Sequence, residues 1–363
     1  MKILHLLASG GAGGIETLCR DISATDIAEN HFIFVWYGGS TADEMLKSGT
    51  NTIVLGHSKK SVIKTYRAIS DYIAKHNIDA VIVHHEAPVM WLYLNLFRRE
   101  FKSLKTVVYI HAHLNDVLKP EKKKTHAIRK AILKYTATRS DHVIAISDIV
   151  KNSLIEAGFK SANIRKIYNG TNLSKFFSDQ KTERGTKTEF IYVGRLIKEK
   201  GVQNILQAVS LLDGEGIRSR MHINIVGDGI YADELKKISS QLRLDDCVTF
   251  CGKQCDIPER LAKADFFIHL PEWEEGFGIT LIEAMAAGLP SVVYNRGAMC
   301  ELVENGKNGF LIEPDVKKAS ETIKYIVSAM SEDEYKTLSA NAVDQSKKFS
   351  IENVVTQLVN ILS

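Results

Sequence analysis

A chain of 363 residues is longer than one hydrophobic core usually supports, and it divides into two domains of roughly 170 to 180 residues each. Its 45% hydrophobic and 25% charged residues are the balance of a soluble globular protein, and the lack of any apolar run of about 18 residues excludes a spanning helix. The formal net charge of +4 is unevenly spread: residues 1–170 hold 24 Lys/Arg against 15 Asp/Glu, and the remainder 23 against 28.

The opening Met1-Lys-Ile-Leu-His-Leu-Leu-Ala8 is apolar for too short a distance to be a secretion signal, and glycines follow it. It reads as a buried first strand. Strands are expected at 3–8, 32–37, 51–55, 80–84, 106–111, 142–146 and 164–168, alternating with helices at 14–29, 59–76, 88–101, 120–139 and 148–157. Such alternation specifies an α/β fold whose parallel sheet is covered on both faces. Residues 169–187 are polar and lose periodicity, so 171–187 is the expected linker between domains 1–170 and 188–345. The second domain restarts at 190–193 and repeats the pattern through about residue 311, with helices at 315–329, 332–348 and 350–362.

Residues 98–134 concentrate eleven Lys/Arg against three Asp/Glu. Part of this run sets Arg129, Lys130 and Lys134 among Ile128, Ala131, Ile132 and Leu133 at helical spacing. A solvated helix face and a surface that docks on anionic lipid headgroups both fit. Nucleic acid is not expected, because no nucleic-acid-binding motif accompanies the charge. Of the five cysteines (Cys19, Cys247, Cys251, Cys255, Cys300), three are spaced four apart. Val248-Thr-Phe250 reads as a strand, which would hold Cys247 and Cys251 about 13 Å apart, too far to share a metal. Free thiols in a reducing compartment are the expectation.

The loop Gly10-Gly-Ala-Gly-Gly-Ile-Glu16 follows the first strand and begins as a dinucleotide fingerprint does. However, Glu16 stands where a third small residue is needed, and Val35-Trp-Tyr-Gly-Gly39 ends the second strand without an acid for the ribose. An NAD enzyme is therefore not expected. His84-His85-Glu86 ends the fourth strand and is a candidate for acceptor binding, and His111 and His113 end the fifth.

Three strand ends in the second half are equipped for phosphate or sugar. Tyr192-Val-Gly-Arg-Leu-Ile-Lys-Glu-Lys-Gly201 sets Arg195 at a strand end and Lys200 before the next helix, a forked and a point-like cation for a diphosphate. Ile223-Asn-Ile-Val-Gly-Asp-Gly229 runs a strand into a glycine turn. In Glu275-Gly-Phe-Gly-Ile-Thr-Leu-Ile-Glu283, Gly276 and Gly278 permit close approach of backbone to ligand. The helix that follows aims its free N–H groups at the same place, bordered by the two carboxylates. In an open parallel sheet such ends converge.

Together these residues resemble the retaining glycosyltransferase family 4, of the GT-B fold. The matching pieces are the 10–16 loop, His111, Ile167-Tyr-Asn-Gly170, Val193-Gly-Arg-Leu196 with Lys200-Gly201, Val226-Gly-Asp-Gly229, the Glu275/Glu283 pair, Gly288-Leu-Pro290 and Glu301-Leu-Val with Gly306 and Gly309. They span nearly the whole chain in the right order. The resemblance implies two Rossmann-like domains facing a central cleft, with residues 346–363 crossing back as a helix to the first domain. It implies that Gly13 and Gly14 approach the donor and that His111 projects toward the transferring sugar. Arg195 and Lys200 would hold the diphosphate, Glu283 the ribose, and Glu275 a hydroxyl of the transferred sugar. Gly278 and Ile279 would offer N–H groups, while Gly227, Asp228 and Gly229 shape the nucleotide side.

No Asp-x-Asp pair occurs, so no obligatory metal and no other cofactor is expected. The implied reaction is retaining transfer from a nucleotide-diphosphate sugar, with UDP favoured, to a lipid-linked or membrane-proximal glycan acceptor. The implied setting is bacterial surface polysaccharide synthesis (capsule or exopolysaccharide), in the cytoplasm or peripherally on the inner face of the cell membrane. Acceptor choice is assigned to loops such as 38–50 and 84–90. The competing readings are a non-catalytic sugar-binding or scaffold subunit and another GT-B chemistry, such as nucleotide-sugar epimerisation.

Overall fold

The computed structural model describes residues 1–11, 13–84, 87–118, 126–177, 184–212 and 216–363. The chain forms two compact units, one of Met1–Thr171 with Ser350–Ser363, the other of Asn172–Phe349.

The first unit is built on β1 (Lys2–Ser9), β2 (Glu29–Tyr37), β3 (Asn51–Val54), β4 (Ala80–Val83), β5 (Lys105–Ile110), β6 (His142–Ala145) and β7 (Ile164–Lys166). These lie in the order β3-β2-β1-β4-β5-β6-β7, every pair parallel. In β1, residues 3–7 are buried whichever way they point, as expected when helices cover both faces. The order reverses between β1 and β4, which opens a crevice at the carboxyl ends of those strands. The helix Ile351–Leu362 belongs to this unit and packs on Gly14–Ser23. Its entry is pinned by Ile351 N–H donating to Thr171 O (3.1 Å), and the Thr171 hydroxyl donates to the buried Asp21 carboxylate (3.0 Å).

The second unit repeats the plan with β8 (Thr188–Val193), β9 (Met221–Val226), β10 (Val248–Gly252), β11 (Phe266–His269), β12 (Ser291–Tyr294) and β13 (Gly309–Ile312). The parallel order is β10-β9-β8-β11-β12-β13, so the switch point lies between β8 and β11. Phe190, Tyr192, Ile223, Ile225, Phe266 and Ile268 carry its core.

Several expected elements differ in extent. The first helix stops at Ser23, six residues short, because the chain must turn to start β2 at Glu29, opposite Lys2. The assigned loop 38–50 contains the helix Ser40–Lys47, which buries Thr41, Ala42 and Met45. Gly39 at its start has φ of 147° and sits against the Gly10 carbonyl, where a Cβ would come within 2.7 Å of the oxygen. The basic helix is described over His126–Ala137; residues 119–125 lie outside the described residues. Its buried side is Leu133, Thr136 and Ala137, while Ile128 is 60% exposed, so the apolar residues do not make one face. Among the described residues no helix is long and apolar enough to cross a membrane.

Candidate active site

In the second unit the sequence-assigned residues stand on loops that leave the carboxyl ends of β8, β9 and β11. The β8 and β9 loops are stitched together by backbone. Gly194 N–H donates to Val226 O (3.0 Å), Leu196 N–H to Asp228 O (2.9 Å), and Tyr231 N–H to Leu196 O (3.0 Å). This close seam explains two of the glycines: a Cβ on Gly227 (φ 143°) would fall 1.8 Å from Gly194 O, and one on Gly229 would fall 2.3 Å from Leu196 O. Both are needed to seat the loop before any ligand arrives. Asp228 is exposed and accepts from the Gly229 N–H (2.8 Å). Arg195 is exposed, and its guanidinium has no hydrogen-bond or ionic partner among the described residues.

Lys200 closes a 3-10 turn (Lys198–Lys200), and Gly201 follows in the left-handed region (φ 74°). A Cβ at Gly201 would lie 1.8 Å from Leu270 O, so the turn is pressed onto the chain leaving β11. That approach brings Lys200 Nζ to 2.6 Å from Glu275 Oε2, with both side chains largely buried. The same oxygen takes Trp273 Nε1–H at 3.2 Å and the His269 Nε2 side at 3.4 Å. Burial by itself would raise the Glu275 carboxyl. The Lys200 ammonium and the His269 ring outweigh it and hold the group far below the usual carboxylate range. Burial also pushes the His269 imidazole down, against the pull of Glu275, so the ring serves as a neutral donor. Sequence reasoning does not single out His269 or Trp273. The signal available is position alone, His269 ending a strand and Trp273 two residues ahead of Glu275.

Gly278 (φ 122°) precedes the helix Ile279–Ala286. Leu281 and Ile282 N–H turn back to Gly278 O, which leaves those of Ile279 and Thr280 outside the helix's own ladder. Glu283 lies in the second turn and is partly buried.

In the first unit Gly13 is the extended residue before Gly14–Ser23, and a Cβ there would meet Glu16 Oε2 at 2.4 Å. His111 lies just past β5, which ends at Ile110, and His113 caps the short helix Leu114–Val117 through Nδ1. His111 Nε2 is 3.0 Å from His84 Nδ1. His84 is fully buried, which removes it as a direct contact for an acceptor; His85 and Glu86 lie outside the described residues. Among the described residues, one His/Cys/acid cluster has metal-like spacing: His5, Cys19 and His84, with ligand atoms within 4.8 Å. His5 Nδ1 and His84 Nε2 are 2.9 Å apart, a hydrogen-bond distance, whereas two nitrogens on one tetrahedral zinc stand about 3.3 Å apart. Cys247 is buried and Cys255 exposed, both as free thiols.

The sequence matches the family Glycosyltransferase Family 4 over residues 12–175 and Glycosyl transferases group 1 over residues 174–345. An uncharacterized glycosyltransferase of Methanocaldococcus jannaschii is 25% identical over 295 residues, covering 81% of this chain and 78% of its own length. The N-acetyl-alpha-D-glucosaminyl L-malate synthase of Bacillus anthracis is 27% identical over 254 residues, 68% of this chain and 64% of that protein. Among solved structures, Anabaena HepE in complex with UDP superimposes with a TM-score of 0.85 at 22% identity, over 100% of this chain and 99% of that one. The same protein has also been solved in complex with UDP-glucose. With one family matched by each half and the two-sheet architecture shared, the chain is a glycosyltransferase of the GT-B type, built from a Family 4 domain followed by a group 1 domain.

Proposed function

We propose that this protein is a retaining glycosyltransferase that takes a sugar from a nucleotide-diphosphate sugar, UDP favoured, without an obligatory metal. The observation that carries the reading is the Lys200–Glu275 pair at the β8/β11 switch point, a cation and a carboxylate held charged in a largely buried place. A ligand with phosphates at one end and hydroxyls at the other satisfies both groups once they separate. Lys200 with Arg195 neutralises the charge growing on the leaving diphosphate, and fixed cations there are the largest electrostatic lever available. Glu275 then accepts from a sugar hydroxyl, Glu283 from the ribose, and the Ile279 N–H meets phosphate or sugar oxygen. In the first unit His111 serves the transferred sugar. The acceptor hydroxyl attacks on the face from which the diphosphate departs, its proton passing to a phosphate oxygen, so no protein nucleophile is needed.

The UDP preference follows HepE, solved with UDP and with UDP-glucose. The acceptor is proposed as a lipid-linked or membrane-proximal glycan of a surface polysaccharide, in keeping with the basic surplus of 98–134. Thermal-shift titration with UDP, GDP, ADP and their sugars, with and without EDTA, tests the donor assignment. A donor at 100 times its Kd adds about 2.7 kcal/mol of stability. UDP compounds should stabilise the protein equally with EDTA present. Stabilisation by GDP compounds alone, or only with a divalent ion, overturns the donor or the metal-free part respectively.

A further inference from the structure

Four polar side chains from four adjacent strands cross one sheet of the first unit. Asn30 stands on β2, His5 on β1, His84 just past β4 and His111 just past β5. His5 Nε2 lies 3.1 Å from Asn30 Oδ1, His5 Nδ1 2.9 Å from His84 Nε2, and His84 Nδ1 3.0 Å from His111 Nε2. Rings wall the line: Phe32 stacks on His5 at 4.8 Å between centroids, and Tyr109 on His111 at 4.4 Å.

The direction of every bond follows from one end. Asn30 Nδ2 donates to the Ala28 carbonyl (3.1 Å), which turns its Oδ1 toward His5. An amide oxygen only accepts, so His5 carries its proton on Nε2 and presents a lone pair at Nδ1. His84 Nε2 must donate to that lone pair, and His84 Nδ1 in turn accepts from His111 Nε2–H. Burial keeps the rings neutral, pushing His5 down to about 4 and His111 to about 3, with His84 also well below its ordinary value. A neutral His111 is then left with a bare lone pair at Nδ1. That nitrogen is buried and has no partner among the described residues. An orphaned buried acceptor is costly unless a ligand supplies the donor.

We propose that Asn30, His5 and His84 form a positioning relay that fixes His111 as the Nε2–H tautomer, so that Nδ1 accepts a hydrogen bond from a hydroxyl of the bound sugar. The contact with sugar rests on the reading of His111 given above; the relay itself does not. Because Nδ1 can only accept, the hydroxyl it meets must donate. A donor sugar with fluorine at that position should therefore react as poorly as the deoxy sugar.

Long-range proton–nitrogen NMR of protein labelled with nitrogen-15 in histidine tests the relay directly. His5, His84 and His111 should all show the neutral Nε2–H pattern at pH 7, and an Nδ1–H or charged His111 overturns the proposal. In the variant His84→Phe, which keeps a ring for stacking, His111 should become a mixture of tautomers and kcat should drop roughly tenfold. The double variant H84F/H111A should be no slower than H111A, since His84 acts through His111. Independent, multiplying losses overturn the relay. If H84F does not fold, the wild-type spectrum still decides. If instead H111A transfers sugar at the wild-type rate, the sugar-facing reading of His111 fails while the tautomer result stands, so the two failures are distinct.

Discussion

Lys200 Nζ lies 2.6 Å from Glu275 Oε2, so the cation assigned to a diphosphate and the carboxylate assigned to a sugar hold each other. Any ligand that takes both must first part them. Glu275→Gln keeps the shape and releases the cation. UDP alone, which asks only for the cation, should then bind about fivefold tighter by calorimetry, while sugar transfer falls at least tenfold. Weaker UDP binding in E275Q would show that the pair assists phosphate binding and does not compete with it.

Removing the other partner should act on stability. Lys200→Met leaves a buried carboxylate with only His269 and Trp273 to serve it, at a cost of about 3 kcal/mol to the second unit. The double variant K200M/E275Q should recover most of this, read from the melting transition of that unit. The pH dependence follows from the depressed Glu275 carboxyl. Its stabilisation is fully present above the ordinary value of 4.5 and is lost as pH falls below that toward the folded-state value. In K200M the carboxyl titrates higher, so less stability should be lost below pH 4.5 than in the wild type.

How much of this is legible in the sequence depends on whether neighbours in space are neighbours along the chain. The strand ends at Val193 and Val226 follow from short apolar runs closed by glycine, and they place Arg195 and Lys200 on loops at one end of a sheet; the strand Phe266–His269, which leads to Glu275, is not among the expected ones. Gly201 and Gly227 are visible as glycines, but the carbonyls they press against, Leu270 and Gly194, come from other loops. With His85 and Glu86, His84 reads as a candidate for acceptor binding because it ends a strand. The order β1-β4-β5 instead buries it between His5 and His111, which are 79 and 27 residues away along the chain. No local periodicity encodes that adjacency.

The buried histidines give the first unit an acid sensitivity of its own. His5, His84 and His111 titrate below 6.5 in the folded chain, so the unfolded chain binds protons first as the pH falls. Stability is therefore fully present above about pH 6.5 and declines below it, by up to about 1.4 kcal/mol per pH unit for each ring. Calorimetric scans between pH 7 and 4.5 should show the transition of the first unit moving down faster than that of the second. Equal movement of both would mean the three rings gain protons without unfolding.

Glycine substitutions separate positions fixed by contact from those fixed by backbone angle alone. Gly306 has φ of 73° and open space, with nothing within 4 Å of where an added methyl would stand. Gly306→Ala should therefore cost only the left-handed strain, about 1 kcal/mol, and leave transfer intact. Gly201 has nearly the same angle, 74°, but its Cβ would lie 1.8 Å from the Leu270 carbonyl oxygen. Gly201→Ala must push the 198–201 turn off the β11 loop and carry Lys200 with it. Misplacing a catalytic group by about 1 Å costs on the order of a hundredfold in rate, and stability should fall by about 3 kcal/mol from clash and strain together. Comparing kcat and melting temperature of the two variants checks the argument, because the shared backbone angle cancels. Equal effects in both would mean that the Leu270 contact yields easily and that Lys200 is positioned by its bond to Glu275 alone.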